Sequence, residues 1–184
     1  MTEGDSGDTV ATLVASRVVD VPDFPQAGIV FKDISPLFAD PVAFRATVDA
    51  IVHAHDGPAG PGFEVVAGIE ARGFVLAAAV AYAAGVGVVP VRKAGKLPRE
   101  TYQVSYELEY GEASLEIHQD AFSPSQRVLV VDDVLATGGT ARATLELVER
   151  AGATVASVTF LLEIGFLKGR SRLAGYPVHA LLTV

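Results

Sequence analysis

The sequence contains no cysteine. That absence excludes disulfides, thiolate zinc sites, iron–sulfur clusters and cysteine nucleophiles together, and it is compatible with a reducing compartment. Positive charge is scarce: 14 Lys and Arg stand against 22 Asp and Glu, a net charge of −8. A duplex-binding surface needs a basic surplus, so nucleic acid is not expected as a partner. An anionic ligand would need the few cations to be gathered in one place. Residues 1–9 hold no basic and no apolar run, so they read as a short disordered acidic leader rather than a signal peptide. A membrane span is missing as well. Gly73 to Val91 carries no charge and approaches the roughly 20 residues that a bilayer requires. Gly85, Gly87 and Pro90 interrupt it, however, and Arg72 and Arg92 flank it closely. It reads as a buried helix over 74–84 and a strand over 86–91, with no membrane partner and a cytoplasmic location expected.

What is present is apolar material: half of the 184 residues are hydrophobic, enough for one domain over 10–184 to bury its own core. A first helix is expected over 10–19. Asp40-Pro41 is a helix start, with Asp as N-cap and Pro in the first turn, and the apolar spacing of Phe44, Val48, Ile51 and Val52 carries that helix to about 54. Short apolar runs at 63–69, 127–131, 154–162 and 178–184 read as strands, the segments 104–110 and 114–118 as a hairpin, and 140–150 as a helix stopped by Gly152. Strands alternating with helices imply an α/β fold, a single doubly wound, mainly parallel sheet flanked by helices.

In such sheets ligands gather where strands lead into helices. The strand at 127–131 runs into Asp132-Asp133-Val134-Leu135-Ala136-Thr137-Gly138-Gly139-Thr140. Adjacent carboxylates leaving an apolar strand repel each other and resist desolvation, so an Asp-capped turn is a poor explanation of the whole stretch. The Thr-Gly-Gly-Thr that follows offers hydroxyls and unobstructed backbone N–H groups at a helix N-terminus, a phosphate site by its chemistry. No Gly-Lys-Ser/Thr and no Gly-x-Gly-x-x-Gly accompanies it, which excludes the NTPase and dinucleotide loops. A second such loop, Gly68-Ile69-Glu70-Ala71-Arg72-Gly73-Phe74, sets a cation against a helix N-terminus, where an anion shared with Arg72 would explain it. Arg92, Lys93 and Lys96 cluster cations against the overall charge, as an anion clamp or as a solvated basic loop. His53 and His55 near a helix end, and His118 and His179 on strands, form no metal constellation and read as structural.

The stretch from Val130 to Thr140 resembles the phosphoribosyl-pyrophosphate (PRPP) motif of the type I phosphoribosyltransferases. Asp23 to Pro36 resembles the base-covering hood of the adenine-specific members, placed here at about 20–38. Gly95 to Pro98, together with Tyr106 to Gly111 and Leu115 to Ile117, resembles their flexible hairpin loop. The resemblance implies purine salvage: phosphoribosyl transfer from PRPP to adenine, giving AMP and pyrophosphate, with Mg²⁺ carried in by PRPP rather than by a dedicated protein site. It implies that Asp132 and Asp133 hold the ribose hydroxyls and that Ala136, Thr137, Gly138, Gly139 and Thr140 wrap the 5′-phosphate. Arg72, with Arg92, Lys93 and Lys96, would serve the pyrophosphate. Backbone groups of Val30 and Lys32 would read the adenine edge, while Phe31 stacks on the ring; Lys32 departs from the Arg of some relatives. Glu109, beside Tyr110, would transfer the catalytic proton. The resemblance also implies a cis Glu70–Ala71 peptide and a homodimer in which Arg92 reaches the neighbouring site. A phosphoribosyltransferase for a 6-oxopurine or for orotate, or a non-catalytic PRPP- or purine-sensing regulator on the same fold, remains the alternative.

Overall fold

The computed structural model describes residues 4–58, 60–107 and 112–184. Helix α1 (Gly4–Ala15) leads into a two-stranded antiparallel ribbon, β1 (Val19–Pro22) and β2 (Val30–Asp33), then α2 (Ser35–Ala39) and α3 (Pro41–His53). A two-residue ribbon, β3 (Asp56–Gly57) and β4 (Gly60–Pro61), precedes β5 (Val65–Ile69), α4 (Arg72–Ala84) and β6 (Gly87–Lys93). The hairpin strands β7 (Thr101–Glu107) and β8 (Glu112–His118) follow, then β9 (Arg127–Leu135), α5 (Gly139–Arg150), β10 (Thr154–Glu163) and β11 (Val178–Thr183). The main sheet has the order β11-β10-β9-β5-β6-β8-β7, parallel from β11 to β6 and antiparallel across β8 and β7.

The continuous apolar runs form the central strands because both sheet faces are covered. Val65, Ala67 and Ile69 of β5, with Val128 and Val130 of β9 and Phe160 of β10, pack toward α5 and the β7–β8 hairpin. Their neighbours Val66, Leu129, Val131 and Leu161 face α3 and α4, and Val14 of α1 closes that side. Helix α4 lies very close on the sheet: a Cβ at Gly68 would come within 2.6 Å of the Ala77 methyl.

Several boundaries differ from the sequence reading. Helix α1 begins at Gly4, inside the stretch expected to be a disordered leader, and stops at Ala15 rather than 19. Tertiary packing of Val10, Leu13 and Val14 against the α3–α4 side stabilises it. Helix α2 has no long apolar period and was not expected; buried Leu37 anchors it. Strand β9 runs on to Leu135, so the acidic pair lies within the strand, paired to β10 through Asp132↔Phe160, and not in the loop beyond it. The turn between β7 and β8, with Glu109 and Tyr110, lies outside the described residues.

Candidate active site

The parallel strands β5, β6, β9 and β10 end on one side of the sheet, and the expected site residues that lie among the described ones collect there. Asp132 and Asp133 are nearly buried, 9% and 7% exposed, and the Asp133 backbone N–H donates to Asp132 Oδ1 at 2.9 Å. Burial and the neighbouring Asp133 push the Asp132 carboxyl well above the ordinary carboxylate range. Asp132 is therefore disposed to keep its proton, as adjacent carboxylates leaving an apolar strand lead one to expect. Gly73 is required beside it: a Cβ there would approach Asp132 Oδ1 to 2.7 Å.

Beyond the pair, residues 136–140 curl over the start of α5 around an 80 Å³ cavity, lined also by Asp132, Leu135 and Phe160. Gly138 is the N-cap, at φ 82, and no side chain caps the helix. The first-turn N–H groups and the helix dipole are thus directed at a small space suited to an anion. Thr140 Oγ1 donates to the Tyr106 hydroxyl at 3.3 Å, tying the loop to the hairpin.

Arg72 opens α4 immediately after the Glu70–Ala71 peptide, which is cis. Its guanidinium makes three contacts: an ion pair with Asp133 Oδ2 at 2.6 Å, a hydrogen bond to the Lys32 carbonyl at 3.1 Å, and a position 4.6 Å from the Phe31 ring centroid. A planar, delocalised cation suits all three. Phe31 also meets Phe24 edge-on at 5.1 Å, and Val30 beside it is half exposed. The Lys32 side chain turns away to Asp20 across the ribbon, 2.7 Å from its carboxylate. Its Nζ therefore braces the hood, while its carbonyl faces Arg72.

The clustered cations converge on Glu70, which the sequence reading quoted without giving it a role. Lys96 Nζ lies 2.5 Å from its carboxylate, Arg92 Nε 3.3 Å, and the Lys93 backbone N–H 3.2 Å. The Lys96 hydrogen bond is the main cause of a Glu70 pKa below the usual range. Glu116 was also missed. It is 2% exposed and accepts from the backbone N–H groups of Lys96 and Leu97, both at 2.8 Å, and from Gln103 Nε2 at 3.2 Å. Burial would raise its pKa, but these donors outweigh burial and hold it down. An acid between Leu115 and Ile117 was the available signal. Among the histidines, His55 bonds Thr159 at 2.7 Å and stacks edge-on with His179, away from the cleft; burial, then His179, lowers its pKa to about 4.

Residues 39–173 match the phosphoribosyl transferase domain. The adenine phosphoribosyltransferase of Salinispora tropica is 70% identical over 181 residues, 98% of this chain and 95% of the relative. The crystal structure of adenine phosphoribosyltransferase from Thermoanaerobacter pseudethanolicus has a TM-score of 0.90 at 48% identity, covering 95% of this chain and 99% of its own. That of Saccharomyces cerevisiae, complexed with D-2,5-dideoxy-2,5-imino-altritol 1,6-bisphosphate and adenine, has a TM-score of 0.89 at 40% identity, with 95% and 99% covered. A likeness this close in sequence and in fold, over nearly the full length of both partners, has one consequence: the chain belongs to the phosphoribosyltransferase family, among the adenine phosphoribosyltransferases.

Proposed function

We infer that the chain transfers the 5-phosphoribosyl group of PRPP to adenine, releasing AMP and pyrophosphate, as an enzyme of purine salvage. The observation that carries this reading is the reach of Arg72. Its contacts with Phe31, Lys32 and Asp133 join the hood, the pyrophosphate loop and the acidic pair into one cleft that ends at the anion-sized cavity of α5.

In this mechanism adenine stacks on Phe31, and the backbone of Val30 and Lys32 reads its edge. Asp132 and Asp133 meet the ribose 2′- and 3′-hydroxyls; with Asp132 disposed to hold a proton, the pair can donate as well as accept. Backbone groups of Ala136, Thr137, Gly138, Gly139 and Thr140, together with the Thr137 and Thr140 hydroxyls, take the 5′-phosphate. Displacement at the anomeric carbon passes through an oxocarbenium-like state, and Arg72, Arg92, Lys93 and Lys96 neutralise the leaving pyrophosphate. Glu70 keeps Arg92 and Lys96 assembled until that anion competes for them. Glu109, beside Tyr110 on the hairpin turn, exchanges a proton with a purine nitrogen as the loop closes and excludes water.

Mg²⁺ would arrive with PRPP and would supply neutralising charge to the leaving group beside Arg72, Arg92, Lys93 and Lys96. Of the acidic pair, Asp133 is engaged by Arg72, and among the described residues no three His, Asp or Glu side chains gather as a metal-holding group. A cytoplasmic location and a homodimer complete the reading. Among the described residues no helix is long and apolar enough to cross a membrane.

The test is direct. Protein, Mg²⁺ and PRPP are mixed separately with adenine, hypoxanthine, guanine or orotate, and nucleotide formation is followed. AMP from adenine alone is expected; turnover of hypoxanthine without adenine would overturn the substrate, and PRPP binding without any turnover would favour a regulator.

A further inference from the structure

The segment after β10 carries no recognisable chemistry in the sequence, yet it lies directly against residues 136–138. Glu163 ends β10 in register with Leu135, and the Ile164 N–H donates to the Leu135 carbonyl at 2.9 Å. Two short 3₁₀ turns follow, Gly165–Leu167 and Gly169–Leu173, joined at Lys168. The backbone of Gly169 is pressed into the loop. A Cβ at Gly169 would lie 2.1 Å from the Ala136 carbonyl oxygen and 3.0 Å from the Gly138 nitrogen, and one at Gly138 would lie 2.5 Å from the Gly169 carbonyl oxygen. Gly169 has no left-handed φ to explain its identity, so the contact itself excludes a side chain.

The turn is held from both ends. Arg170 folds back onto Glu163, which is 8% exposed, with Nε at 3.1 and 3.2 Å from the two carboxylate oxygens and Nη2 at 2.5 Å from Oε2. Arg170 Nη1 donates to the Val178 carbonyl of β11 at 2.7 Å. Leu173, 1% exposed, sits in the core with α5. A fork-to-carboxylate pair of this kind fixes orientation as well as position.

We propose that Gly169 and Arg170, clamped by Glu163, are positioning residues for the phosphate loop: they set the backbone donors of 136–140 for the 5′-phosphate without touching the substrate. The proposal rests on the reading of that loop as the phosphate site. Donors aimed at an anion lose effectiveness with displacements well under an ångström, so disturbing the turn should weaken PRPP binding selectively.

The experiment compares Gly169→Ala, Arg170→Ala, Arg170→Lys and Glu163→Gln with a Thr137→Ala/Thr140→Ala control inside the loop, using full steady-state kinetics and melting curves. We expect the KM for PRPP to rise roughly tenfold or more in Gly169→Ala and Arg170→Ala, and less in Arg170→Lys, while the KM for adenine stays within about twofold. If Gly169→Ala does not fold, Arg170→Lys and Glu163→Gln remain informative, because neither introduces a clash. A lower melting temperature with an unchanged PRPP KM, while the Thr137/Thr140 control is raised, would overturn the positioning role and leave the phosphate loop intact. An unchanged PRPP KM in the control as well would overturn the loop reading and the proposal with it.

Discussion

Asp132 and Asp133 show why a residue's chemistry has to be read from its surroundings. Side by side and nearly buried, they are not equivalent: burial and then the adjacent Asp133 raise the cost of ionising Asp132, while Arg72 pairs with Asp133. Between the ordinary carboxyl value of 3.8 and its raised native value, Asp132 binds a proton in the folded state that the unfolded chain has released. Stability therefore falls as pH climbs through that window and stays lowered above it. Asp132→Asn is accordingly expected to melt no lower than the parent at neutral pH and to flatten the pH dependence of the melting temperature. Asp132→Asn/Asp133→Asn is expected to lower kcat/KM roughly 30-fold to several-thousand-fold, corresponding to roughly 2–5 kcal/mol of lost charge-assisted bonding to the ribose. A double variant with near-normal kcat/KM would defeat the ribose role.

Among the elements, α3 has the clearest local cause. Asp40 Oδ1 accepts from the backbone N–H groups of Val42 and Ala43 at 2.9 and 3.0 Å, Pro41 occupies the first turn, and Arg17 pairs with the other carboxylate oxygen at 2.8 Å. Asp40→Ala removes the cap and the pair together. A fall in melting temperature of roughly 2–4 °C is expected, with kcat and both KM values unchanged, because the cap lies outside the cleft. Asp40→Asn should lose less, since an amide oxygen also caps; equal losses in the two variants would assign the effect to the Arg17 pair. The β7–β8 hairpin is tied instead to a segment outside it: Glu116 on β8 accepts from the backbone N–H groups of Lys96 and Leu97.

On the scale of the molecule, α3 and α4 expose large apolar side chains between them, beside the charged Arg45 and Asp49. Tyr82 on α4 is 90% exposed and Val42 on α3 is 70% exposed, and Phe44, Val48, Ala79 and Tyr82 line a groove between the two helices. Exposed aromatic and aliphatic side chains rimmed by charged ones suit association, and this face is where the homodimer proposed above would be sought. Sedimentation at working concentrations should give a mass of two chains, and Tyr82→Glu should shift it toward one. A monomer with full activity would exclude the dimer. Arg92, expected from the resemblance to reach a neighbouring site, is engaged with Glu70 and the Lys96 carbonyl of its own chain.

The sequence alone determined whatever depends on neighbours along the chain. The buried strands follow from their continuous β-branched runs, the α3 start from Asp40-Pro41, and the start of α5 from Thr137-Gly138-Gly139-Thr140, because caps, turns and periodicity act over a few residues. The family resemblance rests on these same local motifs. What only the tertiary structure decided depends on residues far apart in the chain. Arg72 faces Lys32 and Asp133; Glu70 collects Lys96; Glu116 holds the 96–97 backbone; Gly169 abuts Ala136. None of these pairs has a spacing that a strand or helix period could reveal. Each is set by which strand ends the parallel order brings together, and by how closely two stretches of glycine backbone can approach.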